Sequence, residues 1–357
     1  MRKIDITTYE IDPIGECWTT SSFDGFYKKA GKRTMNEQKG RSRHLVDPEI
    51  ISVLDLFPTS DLTGATLMES RQSQAKMIPQ MDVTQLFPVT WEERAVPSYF
   101  GGPDIRIEII KPREPKYDKM PLYYSIHGGG MVMGSPVGDR SANAALAAQH
   151  GFCCVSVYYR LAPEHIQPSQ LHDCYSALKW CIEHAEELAI DIQKVAVGGS
   201  SAGSGLAAGL ALYIRDQKEF DIHHLRLRSP MLDDRTSISP DHPYAGEFVW
   251  TNRSNYFGWK SVLGNEPGQE GTSEYYVPAR AKSLAGLPPT YISIGSIDLF
   301  IDEAIRFAQQ LAYDGVLVEL HVYPGYHHLA PAFPNAHYSQ EGAKSSEYAL
   351  LKALELV

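Results

Sequence analysis

The chain has 357 residues, of which 43% are hydrophobic and 21% are charged, and its formal net charge is −10. This share of apolar residues is enough to bury a sizeable core, so the composition excludes a disordered or collagen-like chain. The acidic balance argues against a nucleic-acid partner, because a negatively charged protein is repelled by a phosphate backbone.

Membrane insertion and export are not expected. No apolar run approaches the roughly 18 residues that a membrane span requires, since the stretch 202–214 contains glycines and a serine and ends at Arg215. The first fifteen residues lack the apolar centre of a signal peptide, so we expect a cytoplasmic protein. The odd number of cysteines favours reduced, mostly buried thiols; they are Cys17, Cys153, Cys154, Cys174 and Cys181.

The N-terminal segment 1–90 shows no regular alternation of apolar and polar residues and is predicted to contribute to a cap. One helix is predicted within it, at 66–77. The stretch Lys28–His44 is basic, with Glu37 as its single acid. We interpret this stretch as a solvated loop; attraction of an acidic substrate is the alternative.

From Trp91 onward, short apolar runs alternate with helical patterns, which is typical of a mainly parallel sheet flanked by helices. We therefore expect an α/β catalytic domain over 91–357. Strands are predicted at 105–110, 122–126, 153–158, 195–197, 225–227, 290–294 and 318–323. Helices are predicted at 142–150, 171–185, 202–215, 302–313 and 345–356.

Between 240 and 287 this alternation stops and aromatic residues become frequent. We interpret the stretch as an insertion that folds over the carboxyl edge of the sheet and completes the cap. Several apolar side chains here and after the last strand are predicted to line a substrate pocket, although each aromatic alone could equally be cap core. They are Phe248, Trp250, Tyr256, Phe257 and Leu329.

The sequence Gly199-Ser200-Ser201-Ala202-Gly203 follows an apolar strand and opens a helix, as the Gly-x-Ser-x-Gly nucleophile elbow does. Ser201 is therefore the candidate nucleophile. Ser200 does not fit the pattern, because the residue two positions beyond it is Ala202. A turn without chemistry would be a reasonable alternative for this motif alone, but further motifs accompany it.

The sequence His127-Gly128-Gly129-Gly130 directly follows the predicted strand 122–126. Successive glycines can present backbone N–H groups to an oxyanion. We predict that Gly129, Gly130 and Ala202 are the donors, that Gly128 serves the turn, and that His127 anchors the loop. A phosphate-binding loop is the weaker alternative, because no Lys-Ser/Thr pair follows.

A serine hydrolase on such a sheet carries its acid and then its histidine after the serine. Asp298 follows the strand 290–294 and is the candidate acid, whereas Asp302 and Glu303 are interpreted as charges that cap the next helix. Two histidines, His327 and His328, follow the last strand. A histidine pair can also bind a metal, but neither an HExxH helix nor an acidic cluster accompanies it, so we expect no metal.

Together these residues resemble the hormone-sensitive-lipase-like esterases of the α/β-hydrolase superfamily over most of 91–357. The resemblance implies the α/β-hydrolase fold, His328 rather than His327 as the base, and no cofactor. The stretches 255–264 and 284–290 further resemble the brefeldin-A-esterase-like branch. The motifs that carry the resemblance are the glycine loop with Gly134-Ser135, the sequence Tyr159-Arg-Leu-Ala-Pro-Glu-His165, the elbow at Ser201, the segment 298–303, and Tyr-Pro-Gly-x-x-His ending at His328.

Some positions depart from the family pattern: Ser200 replaces an acid or threonine, Leu299 replaces proline, and His328-Leu329-Ala330 replaces His-Gly-Phe. None of these changes removes a catalytic atom.

The resemblance implies ester hydrolysis through an acyl-enzyme on Ser201, with His328 as base and Asp298 as its orienting acid. We expect short to medium acyl chains, since no amphipathic lid of the kind that docks on membranes is evident. An amidase or lactonase would use the same three residues. Relatives also suggest a homodimer formed through an edge strand near 318–323.

Two alternatives belong to other classes. The plant gibberellin receptor resembles these esterases but lacks the histidine, which this chain retains, so a non-catalytic receptor for a small molecule is the weaker interpretation. Gly203-x-Gly205-x-x-Ala208 imitates a dinucleotide-binding fingerprint but overlaps the elbow.

Overall fold

The computed structural model describes residues 41–55, 61–77, 82–330 and 333–357. These residues belong to one unit, Gly40–Val357. The predictions made for Cys17 and for most of the basic stretch Lys28–His44 lie outside the described residues.

The described residues form an eight-stranded sheet with the order β1-β2-β4-β3-β5-β6-β7-β8. Strand β2 is antiparallel to both of its neighbours, and the strands from β4 across to β8 run parallel to one another. Because parallel strands end at the same edge, the loops that follow β3, β5, β7 and β8 meet there. The strands are Val89–Val96 (β1), Ile105–Pro112 (β2), Met120–Ile126 (β3), Cys153–Val157 (β4), Ile190–Ser200 (β5), His224–Arg228 (β6), Thr290–Gly295 (β7) and Val318–Tyr323 (β8).

Helices pack around this sheet, and others precede β1 or lie between β6 and β7. They are Leu67–Met77 (α1), Val83–Leu86 (α2), Arg140–His150 (α3), Ser169–Glu183 (α4), Ala185–Leu188 (α5), Ala202–Gln217 (α6), Asn252–Leu263 (α7), Ile301–Tyr313 (α8) and His337–Ala353 (α9). Short 3-10 turns occur at Arg43–Leu45, Ile51–Asp55, Pro136–Gly138, Asp234–Ile238 and Pro278–Arg280.

All seven predicted strands are present, but β1 was not predicted. Its sequence, Val-Thr-Trp-Glu-Glu-Arg-Ala-Val, buries only Val89 and Val96, because β1 lies at the edge of the sheet and pairs with β2 alone. The helix predicted at 345–356 begins eight residues earlier, at His337, and ends at Ala353. Glycine and serines in its first half conceal the helical pattern.

The predicted insertion 240–287 contains a helix that the sequence analysis did not identify, α7. Its N-terminus is capped by Thr251, whose side chain accepts a hydrogen bond from the backbone N–H of Ser254, and its C-terminus ends at Gly264 with φ 71°. The cap and the terminal glycine are both ordinary helix signals. Frequent aromatic residues at 244–259 obscured them.

Burial in the core accounts for the cysteines that the structure describes. Cys153, Cys154, Cys174 and Cys181 are buried and free, as predicted. Burial raises the pKa of the Cys153 thiol to about 12. None of the helices in the described ranges is long and apolar enough to cross a lipid bilayer.

A buried histidine at the start of β6 gives the fold a measurable pH dependence. His224 is 2% exposed, and burial, reinforced by the charge of Arg226, lowers its pKa to about 4. An unfolded histidine has a pKa near 6.5, so between about pH 6.5 and pH 4 the unfolded chain binds a proton here that the folded chain excludes. This position therefore destabilises the fold progressively as the pH falls below 6.5.

We expect His224→Gln to weaken that dependence, because glutamine does not take up a proton. Between pH 7 and pH 5 the wild type should lose about 2 kcal/mol more unfolding free energy than the variant. Urea titration of both proteins at the two pH values measures the difference. Equal losses in the two proteins would contradict the assignment.

Candidate active site

Ser201 lies at a sharp turn between β5, which ends at Ser200, and α6, which begins at Ala202. Its backbone has φ 55° and ψ −122°, a conformation that costs energy for any residue other than glycine. Besides the bonds that its carbonyl accepts within the first turn of α6, the Ser201 N–H donates to the carbonyl of Arg228 at 2.8 Å, and the Ser201 carbonyl accepts from the N–H of Met231 at 3.1 Å. The end of β6 and the loop that follows it therefore hold Ser201 in its strained conformation.

The two glycines of the elbow are required by close packing. A Cβ atom on Gly203 would lie 2.0 Å from the carbonyl oxygen of Ile126, and a Cβ atom on Gly199 would lie 2.5 Å from the same oxygen. No side chain fits at these distances. The turn can therefore approach β3 only with glycine at both positions.

His328 is hydrogen-bonded to both other predicted catalytic residues. Its Nε2 lies 2.8 Å from Ser201 Oγ, and its Nδ1 lies 2.9 and 3.1 Å from the two carboxyl oxygens of Asp298. A carboxylate only accepts, so Nδ1 carries the proton and Nε2 accepts from the serine hydroxyl. Asp298 is 1% exposed and also accepts a hydrogen bond from the Phe300 N–H at 3.0 Å. This arrangement can remove a proton from Ser201.

His327, the neighbouring histidine, does not reach the serine. It is 1% exposed, its Nδ1 accepts from the N–H of Leu329 at 3.3 Å, and its ring packs edge-on against Phe248. Burial lowers the pKa of His327 to about 4. Of the two histidines, the structure brings only His328 to Ser201.

The glycine loop packs directly against the elbow. A Cβ atom on Gly128 would lie 2.9 Å from the carbonyl oxygen of Ser200 and 3.3 Å from Cβ of Ser201. Gly129 and Gly130 have φ values of 115° and 62°, which favour glycine.

The backbone N–H groups that are predicted to hold the oxyanion are available. In the part of the chain that the structure describes, Gly129, Gly130 and Ala202 donate no backbone hydrogen bond to another protein group. Ala202 opens α6, and the first amides of a helix have no acceptor within the helix.

His127 holds the glycine loop in place. It is 4% exposed, stacks on Tyr159 at 4.1 Å between ring centroids, and its carbonyl accepts from the Tyr159 hydroxyl at 3.0 Å. Burial lowers the pKa of His127 to about 4. These contacts agree with its predicted role as an anchor.

Trp250 is a predicted pocket residue whose ring lies between the glycine loop and His328. Its indole rests on the glycine loop, since a Cβ atom on Gly130 would lie 2.3 Å from the ring. The ring centroid is 6.4 Å from that of His328, and Nε1 donates to Asn255 Oδ1 at 3.3 Å. Asn255 was not predicted as a site residue.

The other predicted pocket residues are more dispersed. Tyr256 and Phe257 line a cavity of about 760 Å³, together with Leu299. Phe248 is buried in the apolar cluster beside His327. Leu329 is half-buried, next to His328 in the chain.

The interpretation of Glu303 as a capping charge is wrong. Glu303 is 2% exposed, and its carboxyl group accepts hydrogen bonds from the N–H groups of Leu232 and Asp233, outside its own helix. Burial raises its pKa well above the usual range. The burial of Glu303 could have been inferred from the helical pattern, because Glu303 is four residues before the buried Phe307 and so lies on the apolar face of α8.

Phe300 is a second residue that the sequence analysis missed. Its ring lies edge-on to His328, with centroids 5.1 Å apart.

No group of three potential ligands in the described ranges is arranged to hold a metal ion.

Known proteins resemble this chain over most of its length. Residues 123–332, more than half of the chain, match a family described as alpha/beta hydrolase fold. The esterase LipI of Mycobacterium tuberculosis is 32% identical over 82% of this chain and 92% of its own. The arylesterase of Saccharolobus solfataricus is 27% identical over 76% of this chain and 87% of its own.

Solved structures agree with these sequence matches. A bacterial heroin esterase has a TM-score of 0.81 and 34% identity, covering 87% of this chain and 98% of the other. An esterase of Pyrobaculum calidifontis has a TM-score of 0.76 and 26% identity, covering 87% and 100%. The brefeldin-A-esterase-like branch is not singled out by these matches and stays a prediction. The chain belongs to the α/β-hydrolase fold family, and the hormone-sensitive-lipase-like resemblance predicted from its motifs is confirmed.

Proposed function

We propose that this protein is a serine carboxylesterase that hydrolyses small esters. The observation that carries the proposal is the hydrogen-bonded series Ser201, His328 and Asp298 beside amides that donate to no group within the described ranges. The esterase names of relatives from two organisms and of two solved structures support the same reaction.

The proposed reaction has two steps. Ser201 Oγ attacks the ester carbonyl carbon while His328 Nε2 takes the hydroxyl proton, and Asp298 stabilises the resulting imidazolium. The protonated His328 then gives its proton to the leaving alcohol as the C–O bond breaks, which leaves an ester on Ser201. Water attacks that ester with His328 again as base, and the acid product and free serine result.

The negative charge that develops on the carbonyl oxygen requires donors. We assign this role to the amides of Gly129, Gly130 and Ala202; Gly128 serves the turn. A donor of this kind contributes roughly 3 kcal/mol to stabilising the transition state. The protein could therefore supply both the base, His328, and the oxyanion site from its own groups.

We propose that the described residues of the N-terminal segment, in the ranges 41–55, 61–77 and 82–90, form a cap over the domain 91–357 together with the insertion 240–287. Contacts between the two segments support this division. The Leu62 N–H donates to Ser254 Oγ at 2.9 Å, and Asp61 accepts from the Thr251 hydroxyl at 2.7 Å.

A homodimer formed through β8 is a separate proposal. Strand β8 is the last strand of the sheet, and its other edge pairs with no strand among the described residues. An edge of this kind can pair with a second copy of the chain. Light scattering coupled to size exclusion tests the dimer, and a monomer at all concentrations would contradict it.

The proposed activity is tested by initial rates on p-nitrophenyl esters from acetate to palmitate. We expect the highest kcat/KM with short to medium acyl chains. A maximum beyond about twelve carbons would contradict the proposed chain preference. A folded protein that hydrolyses none of the esters would contradict the esterase and favour a receptor, whereas faster turnover of matched anilides or lactones would indicate the amidase or lactonase.

The position of Trp250 predicts a change in acyl preference when the indole is removed. We expect Trp250→Ala to shift the best substrate to a longer acyl chain, because space opens beside His328 and Gly130. Each additional methylene buried there should raise kcat/KM about fourfold, since burial of one methylene is worth about 0.8 kcal/mol. The same ester series measures the shift.

Phe248 was predicted to line the pocket with Trp250, but its ring packs against His327, so Phe248→Leu is the comparison variant. Its profile should match that of the wild type. An unchanged profile in Trp250→Ala would show that Trp250 does not limit the acyl group.

A further inference from the structure

Glu303 connects two segments of the active site that are far apart in sequence. Its two carboxyl oxygens accept from the N–H of Leu232 at 3.1 Å, from the N–H of Asp233 at 3.0 Å, and from the Thr236 hydroxyl at 2.7 Å. The adjacent Asp302 differs, because its side chain is 56% exposed and pairs with Arg306 within the helix. Two neighbouring acids therefore have distinct environments.

The loop that Glu303 binds is the one that supports the nucleophile. Met231 in this loop and Arg228 at the end of β6 each form a hydrogen bond with the backbone of Ser201. Leu232 and Asp233 follow immediately. Anchoring their amides fixes the position of this loop, which in turn holds the strained backbone of Ser201.

The acid of the triad is continuous with the helix turn that carries Glu303. Asp298 accepts from the N–H of Phe300 through its side chain at 3.0 Å and from the N–H of Ile301 through its carbonyl at 3.2 Å. The N–H of Ala304 then donates to the Phe300 carbonyl at 3.0 Å. The Glu303 side chain therefore connects the segment that carries Asp298 to the loop that holds Ser201.

We propose that Glu303 is a positioning residue that sets the distance between Ser201 and the His328–Asp298 pair. The inference rests on the proposed esterase function. A carboxyl group is suited to the role because each of its oxygens accepts from a backbone N–H, that of Leu232 at Oε1 and that of Asp233 at Oε2. The Thr236 hydroxyl is the third donor. A glutamine would turn an NH₂ group toward one of those donors, which would force the loop or the helix turn to move.

The test compares Glu303→Gln with Asp302→Asn, the same kind of change at the exposed neighbour. With p-nitrophenyl butyrate we expect kcat of Glu303→Gln to fall about 10- to 100-fold, as displacement of a catalytic group by about 1 Å does. KM should stay within about threefold, because Glu303 is not proposed to touch the substrate. The rate at which a fluorophosphonate labels Ser201 should fall with kcat, and Asp302→Asn should match the wild type.

Thr236→Val removes one of the three donors and leaves both backbone hydrogen bonds, so it tests the proposal even if Glu303→Gln does not fold. We expect a smaller loss of kcat with unchanged KM. Folded variants that melt earlier but retain wild-type kcat and labelling rate would overturn the positioning role, as would wild-type kcat in Thr236→Val when Glu303→Gln is unfolded. Absence of ester turnover in the wild type would instead contradict the proposed function itself.

Discussion

Replacing Ser201 by alanine is expected to lower kcat on p-nitrophenyl esters by about 10⁵- to 10⁶-fold, the loss typical of removing a catalytic serine. The reason is geometric. Ser201 Oγ is the hydroxyl that lies 2.8 Å from His328 Nε2, and alanine leaves no atom there to attack the carbonyl. Ester binding should change little, because the glycine loop and Trp250 are untouched. Initial rates at saturating substrate measure the effect.

Ser200→Ala is the matched control, since it removes the same hydroxyl one residue earlier. Ser200 is the last residue of β5 and packs against Gly128. A Cβ atom added to Gly128 would lie 3.2 Å from Ser200 Oγ. We expect this variant to keep kcat within about a few-fold of the wild type. A fluorophosphonate should label the wild type and Ser200→Ala but not Ser201→Ala. Equal losses in both variants, or labelling of Ser201→Ala, would argue against Ser201 as the nucleophile.

The residues that could be predicted from sequence are those with a local constraint. Gly199 and Gly203 are required because the backbone of the elbow approaches β3 too closely for a side chain, and this requirement is visible in a five-residue motif. Asp298 and His328 could be located because they follow apolar strands, which end at the same edge of a parallel sheet. For the glycines and Asp298 the motif, the chain order and the strand pattern were sufficient, whereas for the base they indicated only the adjacent pair His327 and His328.

The residues that escaped prediction depend on contacts between distant parts of the chain. Glu303 binds amides about seventy residues away, and nothing near it in sequence indicates those partners. Asn255 was missed because its hydrogen bond with Trp250 is evident only once the segment 240–287 is folded. Strand β1 was missed because it lies at the edge of the sheet, where it lacks the apolar alternation that marks an internal strand.

The choice between the two histidines also could not be made from local sequence, because both residues follow the same strand. On physical grounds the sequence alone left His327 and His328 equivalent, and the family resemblance favoured His328. The structure separates them by environment. His328 bonds to Ser201 and Asp298, whereas His327 is buried with a pKa of about 4 and so is neutral near pH 7.

We therefore expect His328→Ala to lower kcat about 10⁵- to 10⁶-fold, since neither proton transfer from Ser201 nor protonation of the leaving alcohol can proceed without it. His327→Asn should keep kcat within about tenfold, because asparagine retains an acceptor for the Leu329 N–H and His327 takes no part in proton transfer. Initial rates at pH 7 and circular dichroism of both variants test this. If the folded His327→Asn protein lost as much activity as His328→Ala, the buried histidine would have a role in the reaction that its contacts do not explain.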